Sequence, residues 1–77
     1  MEIEIISFGR IAEFIPQQRI NVGGIRDTNA LKRHLEATFP MLAEIKYKLA
    51  LNKHMIHENL LIEDNDTLAI MPPFSGG

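Results

Sequence analysis

Few residues in this chain combine the type and the spacing that chemistry needs. His54, His57 and Glu58 stand in the run HMIHE. Zinc-protease helices place two histidines four apart, with a glutamate beside one of them. Here the spacing is three, in a strand-like segment where odd offsets point to opposite faces. The expectation is solvated strand or turn histidines, and no metal site. His34 lies among Lys32, Arg33 and Glu36 and reads as a surface residue. Gly23-Gly24 precede a helical segment, but a phosphate cradle needs more glycines or a Lys-Ser/Thr pair at the helix start. Ile25-Arg26-Asp27-Thr28 supplies neither, so a turn is expected. Asp64 and Asp66 fall in the acidic run EDND with no pocket to enclose them, which suits a hairpin corner better than an acid–base pair.

The stretch MPPFSGG, residues 71–77, is different. Pro72-Pro73 cannot continue a sheet ladder and favours a stiff extended rod. Extended, the chain from Pro72 to Gly77 reaches roughly 20 Å. Gly76 and Gly77 lack Cβ atoms, so a narrow tunnel could admit their backbone. An α-carboxylate on Gly77, with a pKa of about 3.5, is ionised at neutral pH and resists nucleophiles. It becomes reactive with a better leaving group, such as an acyl-adenylate made from ATP. Stiff root, thin tip and carboxyl together suit a protein whose own C-terminus is the reactant. A glycine-ended tail that does nothing is the other reading.

Composition narrows the classes. With 77 residues the chain makes one domain, residues 1–77, and has few residues to spare for enclosing a substrate. Hydrophobic residues are 45% and charged ones 23%, which disfavours disorder. The net charge of −2 offers no field for a phosphate backbone, so no nucleic-acid partner is expected. The absence of cysteine removes disulfides, thiolate metal sites and a thiol nucleophile, and fits a reducing compartment. The opening MEIEIISFGR is acidic and strand-like, unlike a secretory signal, and no apolar run has the length of a membrane span. A cytoplasmic protein with no membrane partner is expected.

The elements that must carry the tail can be read from periodicity. Residues 2–8 alternate, with Ile3 and Ile5 on one side and Glu2 and Glu4 on the other, as in a half-buried strand. Residues 10–15 suggest a short helical turn before Pro16. Residues 18–22 make a second strand, antiparallel to the first, with Ile20 and Val22 inward. Asp27 or Thr28 caps a helix whose stripe is Leu31, Leu35 and Phe39, and Pro40 ends it. Residues 41–45 add a turn, 46–52 a third strand and 54–57 a short return strand. After the acidic turn, 67–72 is the last strand, with Leu68 and Ile70 inward. One helix over one apolar sheet face gives an α+β roll. Placing the first and last strands side by side and parallel in the middle gives the β-grasp pattern, a mixed sheet of four to five strands.

If those two strands are parallel neighbours, Phe8 and Met71 share one end of the sheet. The outer face then runs from Glu2 and Glu4 to Ile6 and Phe8, and from Thr67 to Ala69 and Met71. An apolar patch would mark a partner site where the tail leaves. Alternatively, the 10–15 turn covers Ile6 and Phe8.

The whole chain, residues 2–77, resembles the MoaD/ThiS family of β-grasp sulfur carriers, relatives of ubiquitin. The resemblance rests on FGRIAEF (8–14), LALN (49–52), DTLAIMPP (66–73) and the terminal PPFSGG. The Phe-Gly-Arg segment and the double proline make it nearest to the MoaD branch, the small subunits of molybdopterin synthase. Two positions and one segment depart from the pattern. Phe74 stands where a smaller valine is usual, Asn65 stands where glycine is common, and RIAEF is a loose version of its segment. Phe74 bears on which partner tunnel accepts the tail.

The resemblance implies a non-catalytic, sulfur-donating subunit. An E1-like adenylyltransferase would adenylate the carboxyl of Gly77 with ATP and magnesium, and a sulfur donor would convert it to a thiocarboxylate. The tail would then enter the large subunit of molybdopterin synthase, in a heterotetramer, where two such sulfurs build the dithiolene of molybdopterin. Gly77 would carry the sulfur, Gly76 would keep the thread thin, and Ser75 and Phe74 would line the tunnel mouth. A flexible tail, 72–77, would do this work, with Phe8, Arg10 and Met71 docking the partner. No cofactor would be bound by this chain. Two other readings stand beside this one: a carrier for a different acceptor, in thiazole formation or tRNA thiolation, and a ubiquitin-like modifier or interaction domain.

Overall fold

The computed structural model describes residues 1–73; the expectations for Phe74, Ser75, Gly76 and Gly77 lie outside the described residues. Alternating branched and charged residues make strand β1, Glu2–Ser7, with Ile3 and Ile5 fully buried. Gly9 bends the chain into a short 3-10 turn, Gly9–Glu13, whose Ile11 enters the core. Strand β2, Gln18–Asn21, returns antiparallel with Ile20 opposite Ile3. Val22 lies just past its end and is fully buried, whereas Ile20 is only partly covered.

Helix α1 spans Thr28–Thr38, and its cap is Asp27. The Ala30 N–H donates to Asp27 Oδ1 at 2.9 Å, satisfying one of the orphan donors of the first turn. Thr28 has another task, as a buried polar residue beside the core. Its Oγ1 accepts from the Leu60 N–H at 2.9 Å and donates to Asn59 Oδ1 at 3.3 Å. Its own N–H donates to the Leu60 carbonyl at 2.8 Å, so the 59–61 segment is clasped to the start of the helix. Leu31 and Leu35 face the sheet, Phe39 is the C-cap, and Pro40 opens a second 3-10 turn, Pro40–Glu44, anchored by buried Leu42.

Strands β3, Lys48–Leu51, and β4, His54–Met55, are shorter than the alternation suggested. Asn52 and Lys53 join them with φ of 50° and 71°, the two positive values that a tight type I′ hairpin demands. Strand β5, Thr67–Met71, completes the sheet in the order β2-β1-β5-β3-β4. β5 runs parallel to β1, with Glu4 opposite Thr67 and Ser7 opposite Ile70, and antiparallel to β3. This is the expected β-grasp roll, a mixed five-stranded sheet with one helix. Its core joins Ile3, Ile5, Leu49, Leu51, Leu68 and Ile70 of the sheet to Leu31 and Leu35 of the helix. Each such side chain stabilises the fold by about 1.5–3 kcal/mol when fully buried.

The acidic turn is structural. Asp64 Oδ1 accepts from the Glu2 N–H at 2.8 Å, and the Asp66 carboxylate accepts from the Glu63 N–H at 2.7 Å and Asn52 Nδ2 at 2.9 Å. Asn65 adopts φ 68°, a left-handed conformation that glycine or asparagine tolerates. On the opposite side, the Tyr47 hydroxyl donates to Glu36 of the helix, with Lys32 5.4 Å above the ring centroid. Desolvation first, and then the Glu36 carboxylate, push that hydroxyl's pKa up. No helix among the described residues is long and apolar enough to cross a membrane.

Two predictions follow from these local features. Lys53 carries a side chain in a left-handed conformation, so Lys53→Gly is expected to stabilise the fold by up to about 1 kcal/mol. For a domain of this size that raises Tm by about 4–8 °C per kcal/mol, which calorimetry can read. The Asp27 carboxyl is held below its ordinary 3.8, chiefly by the Ala30 N–H, then by Asn59, with a smaller contribution from Arg33. A depressed pKa contributes stability that is complete above the unfolded value and lost as pH falls through the folded one. Urea unfolding should therefore show the wild type losing more stability than Asp27→Asn between neutral pH and pH below 3.8. Equal losses would contradict the capping assignment.

Candidate functional site: the sheet end where the last strand leaves

Alternation along β1 and β5 sends Ile3, Ile5, Leu68 and Ile70 to the helix side and leaves Glu4, Ile6, Thr67, Ala69 and Met71 on the other. Strand register then assembles a row across this open face: Ile6 beside Ala69, Ala69 opposite Ala50, Ala50 opposite Met55. One step back along β1 the facing residues are Glu4 and Thr67. One step forward, Met71 stands opposite Lys48. The face therefore passes from polar to apolar along the strands, and the parallel pairing makes both central strands change in the same direction.

Phe8 extends the apolar end. Its backbone stays extended, at φ −124° and ψ 156°, and its N–H donates to the Ile70 carbonyl at 3.0 Å, one more rung of the ladder beyond β1. The side chain is 51% exposed, and Ile6 and Met71 are partly so. Of the two sequence readings of this face, the open one holds. The turn that follows Phe8 directs Ile11 inward and does not cover it.

The ladder stops at Met71, because Pro72 has no N–H to give it. Pro72 then crosses Gly9 closely. A Cβ built on Gly9 would lie 2.9 Å from Pro72 Cγ and 3.5 Å from its Cδ, and Gly9 holds φ 59°. In the sequence Gly9 only separates the first strand, residues 2–8, from the turn at 10–15. Its second role needs the tertiary pairing that brings position 72 alongside, and no sequence signal announces it. Arg10, exposed beside it, lines a hollow with Phe14, Met41, Ile45 and Pro72. That hollow was missed too, because Met41 and Ile45 sit in a short turn without periodicity.

The structure thus brings Phe8, Arg10, Met71 and the root of the tail to one end of the sheet. It does not bring the other chemistry-bearing residues there. His34 is exposed on α1, His54 is on the edge strand β4, and His57 is exposed past it. Among the described residues no three His, Cys, Asp or Glu side chains gather as a metal site. The Gly23 N–H donates to Asn21 Oδ1 at 2.9 Å, closing a turn. At the tail root, Phe8, Met71 and Pro72 carry no ionisable side chain. Chemically this end can hold an apolar partner surface and aim the chain that leaves it.

The ThiS family profile matches residues 5–77. The chain belongs to the ThiS family. A relative in Arabidopsis thaliana, molybdopterin synthase sulfur carrier subunit, is 31% identical over 81 aligned positions, covering all of this chain and 84% of the relative. Among solved structures, the complex of subunits 1 and 2 of molybdopterin-converting factor from Helicobacter pylori contains a chain with TM-score 0.74 and 26% identity, each covered in full. SAMP1 from Haloferax volcanii aligns at TM-score 0.77 with 21% identity, again over the whole of both chains, and supports the fold alone. The ThiS-family match thus runs through the tail as well as the body.

The contact between Gly9 and Pro72 yields a prediction. Gly9→Ala puts a side chain into a left-handed conformation and against a rigid ring, so it should cost about 1–2 kcal/mol. Chemical denaturation would measure the loss. Amide NMR shifts of Arg10 and Met71 should move in the same variant, because the ring must give way. An unshifted spectrum would mean that the tail root is not seated on Gly9.

Proposed function

We propose that this chain is a sulfur carrier of molybdenum cofactor biosynthesis, the small subunit of molybdopterin synthase. The observation that carries the reading is the ThiS-family match through residue 77, joined to a sheet that holds the root of that tail beside an open apolar patch. The 31% identity with a molybdopterin synthase sulfur carrier subunit supports this acceptor over others.

In this reading the folded body is a handle and the carboxyl of Gly77 is the reacting group. An E1-like adenylyltransferase docks on Phe8, Arg10 and Met71. A carboxylate oxygen of Gly77 attacks the α-phosphorus of ATP, with magnesium on the phosphates, and pyrophosphate leaves. Sulfide released by a sulfur donor then attacks the acyl carbon, AMP leaves, and a thiocarboxylate results. The tail next enters the large subunit of molybdopterin synthase, Gly76 keeping it thin and Phe74 and Ser75 at the tunnel mouth. The thiocarboxylate sulfur bonds to a carbon of a pterin precursor and displaces an oxygen substituent, and water then cleaves the Gly77 acyl–sulfur bond, which leaves half of the dithiolene on the pterin and restores the Gly77 carboxylate. The chain itself supplies position and the acyl group that carries the sulfur.

Intact mass spectrometry of the chain taken from cells tests this directly. The expected species is heavier by one oxygen-to-sulfur exchange, located on Gly77 by fragmentation. Deleting Gly77 should abolish that species and all sulfur transfer while leaving Tm unchanged. A deletion variant that still supports cofactor assembly would overturn the proposal.

A further inference from the structure

Beside the tail root, on the helix side of the sheet end, lies the hollow between the two 3-10 turns. Its floor is partly buried Phe14 and buried Ile11, and its walls are Met41, Ile45 and Pro72. Met41 and Ile45 are 57% and 39% exposed, although Leu42 between them is fully buried. The second turn is fixed by the Leu42 N–H, which donates to the Phe39 carbonyl at 2.9 Å, so the two apolar side chains are held outward. Met41 is unbranched and polarizable, suited to fitting a partner's side chain. At the rim stand Arg10 and Lys46, both exposed, and neither forms an ion pair among the described residues. One acid, Glu13, shares the lining, so the rim is cationic in a chain whose net charge is −2.

We infer that this hollow is a second docking site for the protein that receives the tail, and that it takes an apolar side chain flanked by carboxylates. The inference rests on the tail reading above, because Pro72 is both a wall of the hollow and the root of the tail. A protein that closes around residues leaving Pro72 must also lie against this wall. An apolar anchor would fill the space between Phe14, Met41 and Ile45, and its carboxylate neighbours would meet Arg10 and Lys46. The contact is separate from the open sheet face, which lies on the other side of β1 and β5. Apolar anchors set the dissociation rate, whereas exposed rim charges set the association rate and its dependence on salt.

The test uses the full chain and the large subunit of molybdopterin synthase from the same organism, with binding kinetics followed at low and high salt. The double substitution Arg10→Glu, Lys46→Glu should slow association by about tenfold at low salt, and the difference should shrink as salt screens the charges. The double substitution Met41→Ala, Ile45→Ala should instead speed dissociation by about tenfold, with association little changed. All four side chains are exposed, and unchanged Tm and amide spectra confirm that the variants remain folded. If the wild type binds and both double variants bind as it does, this inference fails alone. If the wild type does not bind, the reading of the tail fails and this inference with it. If sedimentation shows a dimer of the isolated chain that Met41→Ala, Ile45→Ala dissolves, the hollow belongs to a second copy and the inference is overturned.

Discussion

The parallel pairing of β1 with β5 is the constraint on which the rest of the molecule depends. Parallel neighbours begin at the same end of a sheet and finish at the same end. Here both begin among Glu2, Glu4, Asp64 and Asp66, and both finish where Phe8 and Met71 meet solvent. Ser7 opposite Ile70 fixes the register, and the Phe8 N–H holds the next rung. A slip of one residue would exchange the buried and open faces of a strand. With β5 slipped, Met71 would turn inward and Leu68 and Ile70 outward, so burial of the core specifies the open patch as its complement. The same pairing carries Pro72 to Gly9, and a missing Cβ becomes the seat of the tail.

Much of this architecture was legible in the residues. Ile3 and Ile5 alternate with glutamates, and Leu31, Leu35 and Phe39 recur every four residues, so strand and helix could be assigned from periodicity. Pro40 marked the end of the helix by local backbone chemistry, whereas the turn at Asn52-Lys53 begins inside the strand expected over 46–52. The order of elements, with one helix for one apolar face, left few topologies in which both sheet edges stay short. Asp27 and Thr28 were equivalent as caps in sequence. Only the Leu60 and Asn59 contacts of Thr28 show why Asp27 takes the cap and Thr28 the clasp.

What stayed hidden depends on residues far apart in the chain. Gly9 and Pro72 are neighbours only through the sheet, and Phe14 meets Met41 and Ile45 only through packing of two short turns. Neither turn has a hydrophobic period long enough to read. The exposure of Phe8 was undecided for the same reason, since it depends on where the following turn places Ile11. Ala50 makes the point from the other direction. It points away from the core side yet is buried, because Ala69 and Met55 stand close on either side of it.

Strand β5 also bears on how the domain comes into being. It is the last strand in chain order, yet it lies between β1 and β3 and hydrogen-bonds to both. Until it inserts, the hairpin β1–β2 and the hairpin β3–β4 have no sheet in common. The contacts that close the fold span most of the chain, a topology that folds late and cooperatively. A polypeptide still under synthesis therefore cannot assemble this body before the segment bearing Met71 has emerged. Maturation of the globule and delivery of its tail root are one event, and half-made chains display no counterfeit of the finished surface.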